Sequence, residues 1–191
     1  GDDDFVSCFT NLLVAPDGPS EAAWADRARQ VLAECDPEDD YPSALFPVGW
    51  TEIRLRRNFP EAIALLRAAS DEARLQSRAS TFRLAQSNLA FALGHAGAFS
   101  EAERILDELP AQAPDNATDW DRFEGGLPQA LRGSIAFWRG DFEAAVAHLD
   151  AVVDSAGPGA NFEAQSRLYL VLSLIALRRT DRYREAAEMI Q

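Results

Sequence analysis

The strongest constraint on the fold of this 191-residue chain is a five-residue pattern that returns at nearly constant intervals. The pattern is a small or turn residue, an aromatic residue, two further residues and an alanine. It ends at Ala62, Ala102, Ala145 and Ala186, and a weaker copy ends at Ala22. These positions give a period of about 40 residues, slightly longer toward the end of the chain. Such a recurrence is typical of helical repeat proteins, in which each unit stacks on its neighbours.

The recurring residues have the properties of a tight corner between two helices. Gly97 and Gly140 stand just before two of the corners, where glycine readily ends a helix. Pro60 and Ser100 suit the first turn of the helix that follows. The alanine is small enough for a paired helix to pack closely, and an apolar residue four positions later extends the same helical face. These later residues are Leu66, Leu106, Leu149 and Ile190. The pattern therefore predicts helix hairpins rather than unrelated amphipathic helices.

The rest of the chain has apolar residues at helical spacing and no alternating strand pattern. We predict an all-α fold, a right-handed α-α superhelix of about five antiparallel helix hairpins in a single domain. Its units are approximately 1–40, 41–77, 78–118, 119–160 and 161–191. Helices are expected at 2–14, 20–35, 43–57, 59–76, 78–96, 99–109, 120–139, 142–155, 162–179 and 182–191, with loops at 36–42, 110–118 and 156–161. The apolar helical pattern continues to Gln191 without a glycine or proline stop, which favours a fragment of a larger protein.

Charge and cysteine content restrict the partners and the compartment. The chain has 31 acidic and 18 basic residues, and its net charge of −13 repels phosphate backbones. We therefore expect no direct nucleic-acid contact by this segment. Cys8 and Cys35 belong to no metal-binding cluster, which is typical of reduced thiols in a cytoplasmic protein. The longest apolar run, near 168–177, is about half of the roughly 20 residues that cross a bilayer, so we expect no membrane insertion.

Signals for catalysis or metal binding are weak. His95 and His148 are the only histidines. His95 has no acidic or thiol residue at ligand spacing, and we expect His148, beside Leu149 in a second helix, to lie at the surface. The acidic runs at 2–4 and 38–40 lack the glycine and distal glutamate of a calcium loop. No serine lies in a Gly-x-Ser-x-Gly elbow. We expect no enzyme activity, no catalytic residue, no cofactor and no metal.

Two segments point to a known family. The segment 88–102 resembles a tetratricopeptide repeat, because Gly97, Phe99 and Ala102 form its Gly-x-aromatic-x-x-Ala corner and Pro114 stands where that motif carries its terminal proline. The segment 131–149 is similar, with motif residues at Gly133, Gly140, Phe142 and Ala145. The units are longer than that repeat, which has about 34 residues. The longer period and the Arg-Gly-Asp-Phe-Glu-Ala-Ala run at 139–145 resemble the sensor superhelix of large MalT-like LuxR-family transcriptional activators.

The resemblance implies a function through binding. In that family the superhelix lies between an ATPase module and a C-terminal helix-turn-helix, and it binds a small-molecule or protein effector. This sequence contains neither a phosphate loop nor a basic recognition helix. The resemblance thus implies the effector-sensing segment of such a regulator, with DNA contacted only through another module. A stand-alone protein-protein interaction scaffold and an intracellular peptide receptor are the alternatives.

The first helix of each hairpin lines the concave face of such arrays, where ligands usually bind. The tetratricopeptide register places ten residues on that face: Thr51, Arg54, Ser87, Phe91, His95, Ser134, Phe137, Trp138, Arg178 and Arg179. Aromatic and arginine side chains are suitable anchors for a protein, a peptide or a small anionic effector. In the alternative interpretation, the three aromatic residues belong to the core between repeats and the arginines are solvated. The apolar ends of such an array also favour self-association.

Overall fold

A computed structural model describes residues 18–34, 41–56, 58–109, 119–155, 161–179 and 182. This part of the chain is helical and contains no strand, which confirms the all-α prediction for it. The helices are α1 (Gly18–Glu34), α2 (Tyr41–Thr51), a π-helical turn (Glu52–Arg56), α3 (Phe59–Leu75), α4 (Ala79–His95), α5 (Phe99–Asp107), α6 (Asp119–Arg139), α7 (Phe142–Ser155) and α8 (Asn161–Ala176). The helices predicted at 2–14 and beyond Arg182 lie outside the described residues.

The chain forms two compact units, Gly1–Ala92 and Leu93–Gln191. In the first unit α2 packs against both α1 and α3, around a cluster that contains Ala28, Val31 and Val48. Arg29 of α1 also forms an ion pair with the fully buried Glu52 of the π-helical turn. In the second unit α6 contacts α5, α7 and α8, and α8 also packs on α7. Each unit is therefore a layer of helices around its own apolar cluster.

The recurring alanines lie at equivalent places in three corners. Ala62, Ala102 and Ala145 are each 0% exposed, and the apolar residues four positions later are equally buried. These are Leu66, Leu106 and Leu149. The backbone N–H of each alanine donates to the carbonyl four residues earlier, at distances of 3.0, 3.1 and 3.0 Å. The predicted corner packing is confirmed at these three places.

The weaker copy of the pattern has a different structure. Helix α1 already begins at Gly18, and Ala22 is an exposed residue within it. Its alanine is therefore not packed in the way of the three buried corner alanines. The copy that ends at Ala186 lies outside the described residues.

Four helix ends share one hydrogen-bond arrangement. Gly97 and Gly140 have φ of 80° and 82°, as the corner glycines predict, and Ser77 and Arg178 reach the same left-handed region with φ of 57°. Each donates its N–H to the carbonyl three residues earlier, and the next residue donates to the carbonyl five residues before itself. Because Arg178 closes α8 in this way, the helix ends at Ala176 and not at 179 as predicted.

Glycines bring the paired helices close together. A Cβ on Gly133 of α6 would lie 2.5 Å from Cγ of Leu149, and one on Gly49 of α2 would lie 2.8 Å from Cγ of Leu66. The stretch from Gly49 to Ala62 is one residue longer than the stretch from Gly133 to Ala145. The π-helical turn absorbs the extra residue, because a π turn accommodates a one-residue insertion in a helix.

Candidate binding site

The first helix of a hairpin is the helix that precedes an aromatic corner, as α2, α4, α6 and α8 do. In the second unit, four half-buried rings from the first helices form a continuous group, which we call the aromatic row. His95 lies 4.0 Å from Trp138 between ring centroids, and Trp138 lies 5.9 Å from Tyr169 in an edge-to-face arrangement. Phe137 stacks on Tyr169 at 4.6 Å. The row thus joins α4, α6 and α8 through aromatic contacts.

The helix ends explain why these rings meet. His95 and Trp138 both stand two residues before a left-handed glycine, so they occupy the same place on successive first helices. Gly94 lies beneath the indole, because a Cβ there would be 2.8 Å from a Trp138 ring carbon. The absence of a side chain at Gly94 therefore lets the α6 ring approach α4.

Sequence reasoning selected His95, Phe137 and Trp138 but missed Tyr169. The sequence interval between Ala145 and Ala186 aligns Phe137 and Trp138 with Arg178 and Arg179. The hydrogen bonds of the helix ends instead align Phe137 with Ile175, a shift of three residues. The available signal was Tyr169 itself, an aromatic residue four positions before Ser173 in a mostly aliphatic stretch.

The arginines have structural partners. Arg179 pairs with Glu143 at 2.8 Å, and Arg139 pairs with Glu103 at 2.7 Å. In both pairs an arginine at the end of a first helix reaches the second helix of the preceding hairpin. Arg178 is exposed and provides the left-handed residue that ends α8. Exposed ion pairs of this kind contribute little stability, about 0–1 kcal/mol.

Three predicted site residues are buried. Thr51 is 0% exposed, and Ser87 and Ser134 are each 3% exposed. The Thr51 hydroxyl donates to the Val48 carbonyl at 2.8 Å, and the Ser134 hydroxyl donates to the Ala130 carbonyl at 3.0 Å. Helix packing therefore encloses these three residues of the predicted concave face.

The two remaining predicted residues lie in the first unit. The guanidinium of the exposed Arg54 is 5.1 Å from the centroid of the Trp50 ring, a cation-π distance. Phe91 is half-buried in α4. Thr51, Arg54, Ser87 and Phe91 thus belong to one compact unit, and the other six predicted residues belong to the second.

His148 has a perturbed environment away from the aromatic row. Burial lowers the pKa of its imidazole below the ordinary 6.5, and the charge of Arg132 lowers it further, against the opposite effect of Asp141. Its Nδ1 lies 2.9 Å from the amide nitrogen of Gln129, which donates to a neutral ring. This contact joins α6 to α7.

The described residues contain no group of three or more His, Cys, Asp or Glu side chains that could hold a metal ion. No helix in the same part of the chain has the length and apolar character that crossing a membrane requires. Comparisons with protein-family models, with curated proteins and with solved structures find no match to this chain. The family resemblance therefore stays a prediction.

Proposed function

We propose that this chain is a non-catalytic binding domain, a right-handed superhelix of tetratricopeptide-like repeats that binds a peptide or small-molecule effector on the aromatic row of residues 93–191. The observation that carries the proposal is the contact of His95, Trp138 and Tyr169 across three successive first helices. Each ring is half-buried, so part of each remains accessible to a ligand.

The chemistry of the row suits a ligand with an apolar body and polar edges. Histidine, tryptophan and tyrosine present flat apolar surfaces together with N–H and O–H groups, and such rings lose little conformational entropy on binding. Arg139 and Arg179 add guanidinium groups at the ends of the first helices, each paired with an exposed glutamate. Because exposed pairs are weak, a ligand carboxylate could replace the glutamate at small cost.

The proposed setting is the effector-sensing segment of a MalT-like LuxR-family regulator. The support for it is the tetratricopeptide-like corner chemistry of 88–102 and 131–149 and the long repeat. An interaction scaffold or a peptide receptor would use the same aromatic surface. A phosphate loop and a basic helix-turn-helix encoded in the same gene would support the regulator. A gene product with neither would exclude it.

Two pairs of variants test the binding surface. Sugars, nucleotides and short peptides are first screened by thermal shift, and the affinity of a stabilising compound is then measured by calorimetry. Trp138→Ala should raise the Kd by about 30-fold, the loss of a hot spot worth about 2 kcal/mol. Trp50→Ala, which removes a half-buried tryptophan from the first unit, should leave the Kd unchanged.

The second pair compares two exposed arginines that each form an ion pair. Arg179→Ala removes a pair with Glu143, and Arg104→Ala removes an exposed pair with Glu108 at the end of α5. Only Arg179→Ala should weaken the binding of an anionic ligand. Equal affinities for the wild type, Trp138→Ala and Arg179→Ala, with the fold intact, would exclude the aromatic row as the site.

A further inference from the structure

Helix α8 has an apolar face that the described chain does not cover. Leu168, Leu172 and Ile175 are 47%, 39% and 49% exposed. Their spacing of four and three residues places them on one side of the helix, and we call this face the α8 stripe. Three large aliphatic side chains exposed together on one helix are unusual on the surface of a monomeric soluble protein.

The helix ends give the register of the α8 stripe within the repeat. Gly97, Gly140 and Arg178 each donate an N–H to the carbonyl three residues earlier, at distances of 3.0, 3.0 and 2.9 Å. The acceptors are Gly94, Phe137 and Ile175, which therefore hold equivalent positions on α4, α6 and α8. By the same alignment Leu168 and Leu172 correspond to Ala130 and Ser134 of α6.

In both earlier helices this position contacts the next first helix. Gly94 approaches Ile135 and Trp138 of α6, and Phe137 of α6 stacks on Tyr169 of α8 at 4.6 Å. Ala130 and Ser134, on the same side of α6 as Phe137, are 2% and 3% exposed. The α8 stripe thus holds, on α8, the position that meets the next first helix on α4 and α6.

We propose that the α8 stripe docks the first helix of a further repeat in the same polypeptide. The chemistry of that helix follows from the α6–α8 contact. Helix α8 meets α6 with an aromatic residue, Tyr169, and carries buried Ser166 and Ser173. The stripe carries Leu168 and Leu172 where α6 carries alanine and serine. The docked helix therefore needs small residues opposite these two leucines.

The size of the α8 stripe favours a covalently linked helix over a second copy of the chain. Leu168 to Ile175 spans seven residues, about 10 Å at the usual helical rise. A stable dimer buries about 800 Å² on each partner, far more than three half-exposed side chains provide. A helix in the same polypeptide needs less area, because its docking is intramolecular.

Thiol reactivity tests the proposal. Leu172→Cys is introduced with Cys8 and Cys35 changed to serine, both in the 191-residue chain and in the complete product of the gene. The new thiol should react with an aromatic disulfide reagent at least about tenfold more slowly in the complete product. The docked helix must open there before the reagent reaches the thiol. Leu75→Cys, at a residue that is 76% exposed and outside the stripe, should react equally fast in both.

Each other outcome overturns the proposal. A gene product that ends at Gln191 has no further repeat, and an equal rate for the thiol in both proteins shows that no helix covers the stripe. A thiol that is protected in the 191-residue chain, with a dimer mass by sedimentation, would assign the stripe to a second copy. Leu172→Glu gives an independent readout, because it should lower the unfolding midpoint of the complete product and leave that of the 191-residue chain unchanged.

Discussion

Gly133→Ala tests whether the first and second helices are as close as the structure shows. The added methyl carbon would lie 2.5 Å from both Cγ and Cδ2 of Leu149. Because Cγ is near the backbone end of the leucine, rotating the side-chain tip cannot remove the overlap. A glycine inside an unconstrained helix gives the opposite result, since replacement by alanine stabilises it by about 1 kcal/mol. The sign of the effect therefore reports on the distance between α6 and α7.

The expected magnitudes follow from the same contact. Overpacking a well-filled core costs about 1–3 kcal/mol, so the helix propensity of alanine leaves a net loss of about 0–2 kcal/mol for Gly133→Ala. Leu149 is 0% exposed, so Leu149→Ala alone should cost about 2–5 kcal/mol. In the Leu149→Ala background the overlapping atoms are absent. There Gly133→Ala should stabilise the protein by about 1 kcal/mol.

The assay is a double-mutant cycle measured by urea unfolding. Wild type, both single variants and the double variant should give a favourable coupling of about 1–3 kcal/mol. A matched control combines Gly133→Ala with Leu66→Ala, which removes an equally buried leucine from the first unit and should be additive. If Gly133→Ala stabilised the protein equally in both the wild-type and the Leu149→Ala backgrounds, the close approach would be refuted.

Three further predictions concern the helix ends and pH. Gly97→Ala should cost about 1 kcal/mol, because its φ of 80° strains any side chain although nothing lies within 4 Å of the new Cβ. Arg178→Gly should relieve the same strain and raise the thermal midpoint, and a decrease would contradict the left-handed geometry. Burial lowers the pKa of His148 in the folded protein, so the unfolded chain takes up the proton first as the pH falls. The stability that the neutral ring contributes is therefore complete above about pH 6.5 and is lost as the pH falls below it. The unfolding midpoint of the wild type should therefore fall relative to that of His148→Gln between about pH 8 and pH 5. A constant difference would contradict the effect.

The corners could be predicted because local chemistry determines them. Glycine adopts a positive φ at little cost, so Gly97 and Gly140 indicate where their helices end. Ser77 and Arg178 end helices with the same bonds but carry side chains that disfavour this conformation. The end of α8 was therefore predicted three residues too late.

The site was harder to predict because a residue's face depends on its neighbours. Ser134 and Trp138 lie one helical turn apart on α6, yet the serine is 3% exposed and the indole is half-buried. The positions of the neighbouring helices determine these outcomes, and periodicity does not contain those positions. Tyr169 was missed for the same reason, since its ring contacts come from Phe137 and Trp138 of α6.

The intervals between helix ends show which part of the repeat is fixed. The interval from Gly97 to Gly140 is five positions longer than the interval from Gly140 to Arg178. The distance from each glycine to its corner alanine, Ala102 or Ala145, is the same. The corner is therefore invariant while the length between corners changes. Any alignment by a fixed period moves residues onto the wrong face, as it did for Arg178 and Arg179. Alignment by the helix ends instead gives Gly94, Phe137 and Ile175 equivalent positions, so Phe137 of the aromatic row corresponds to Ile175 of the α8 stripe.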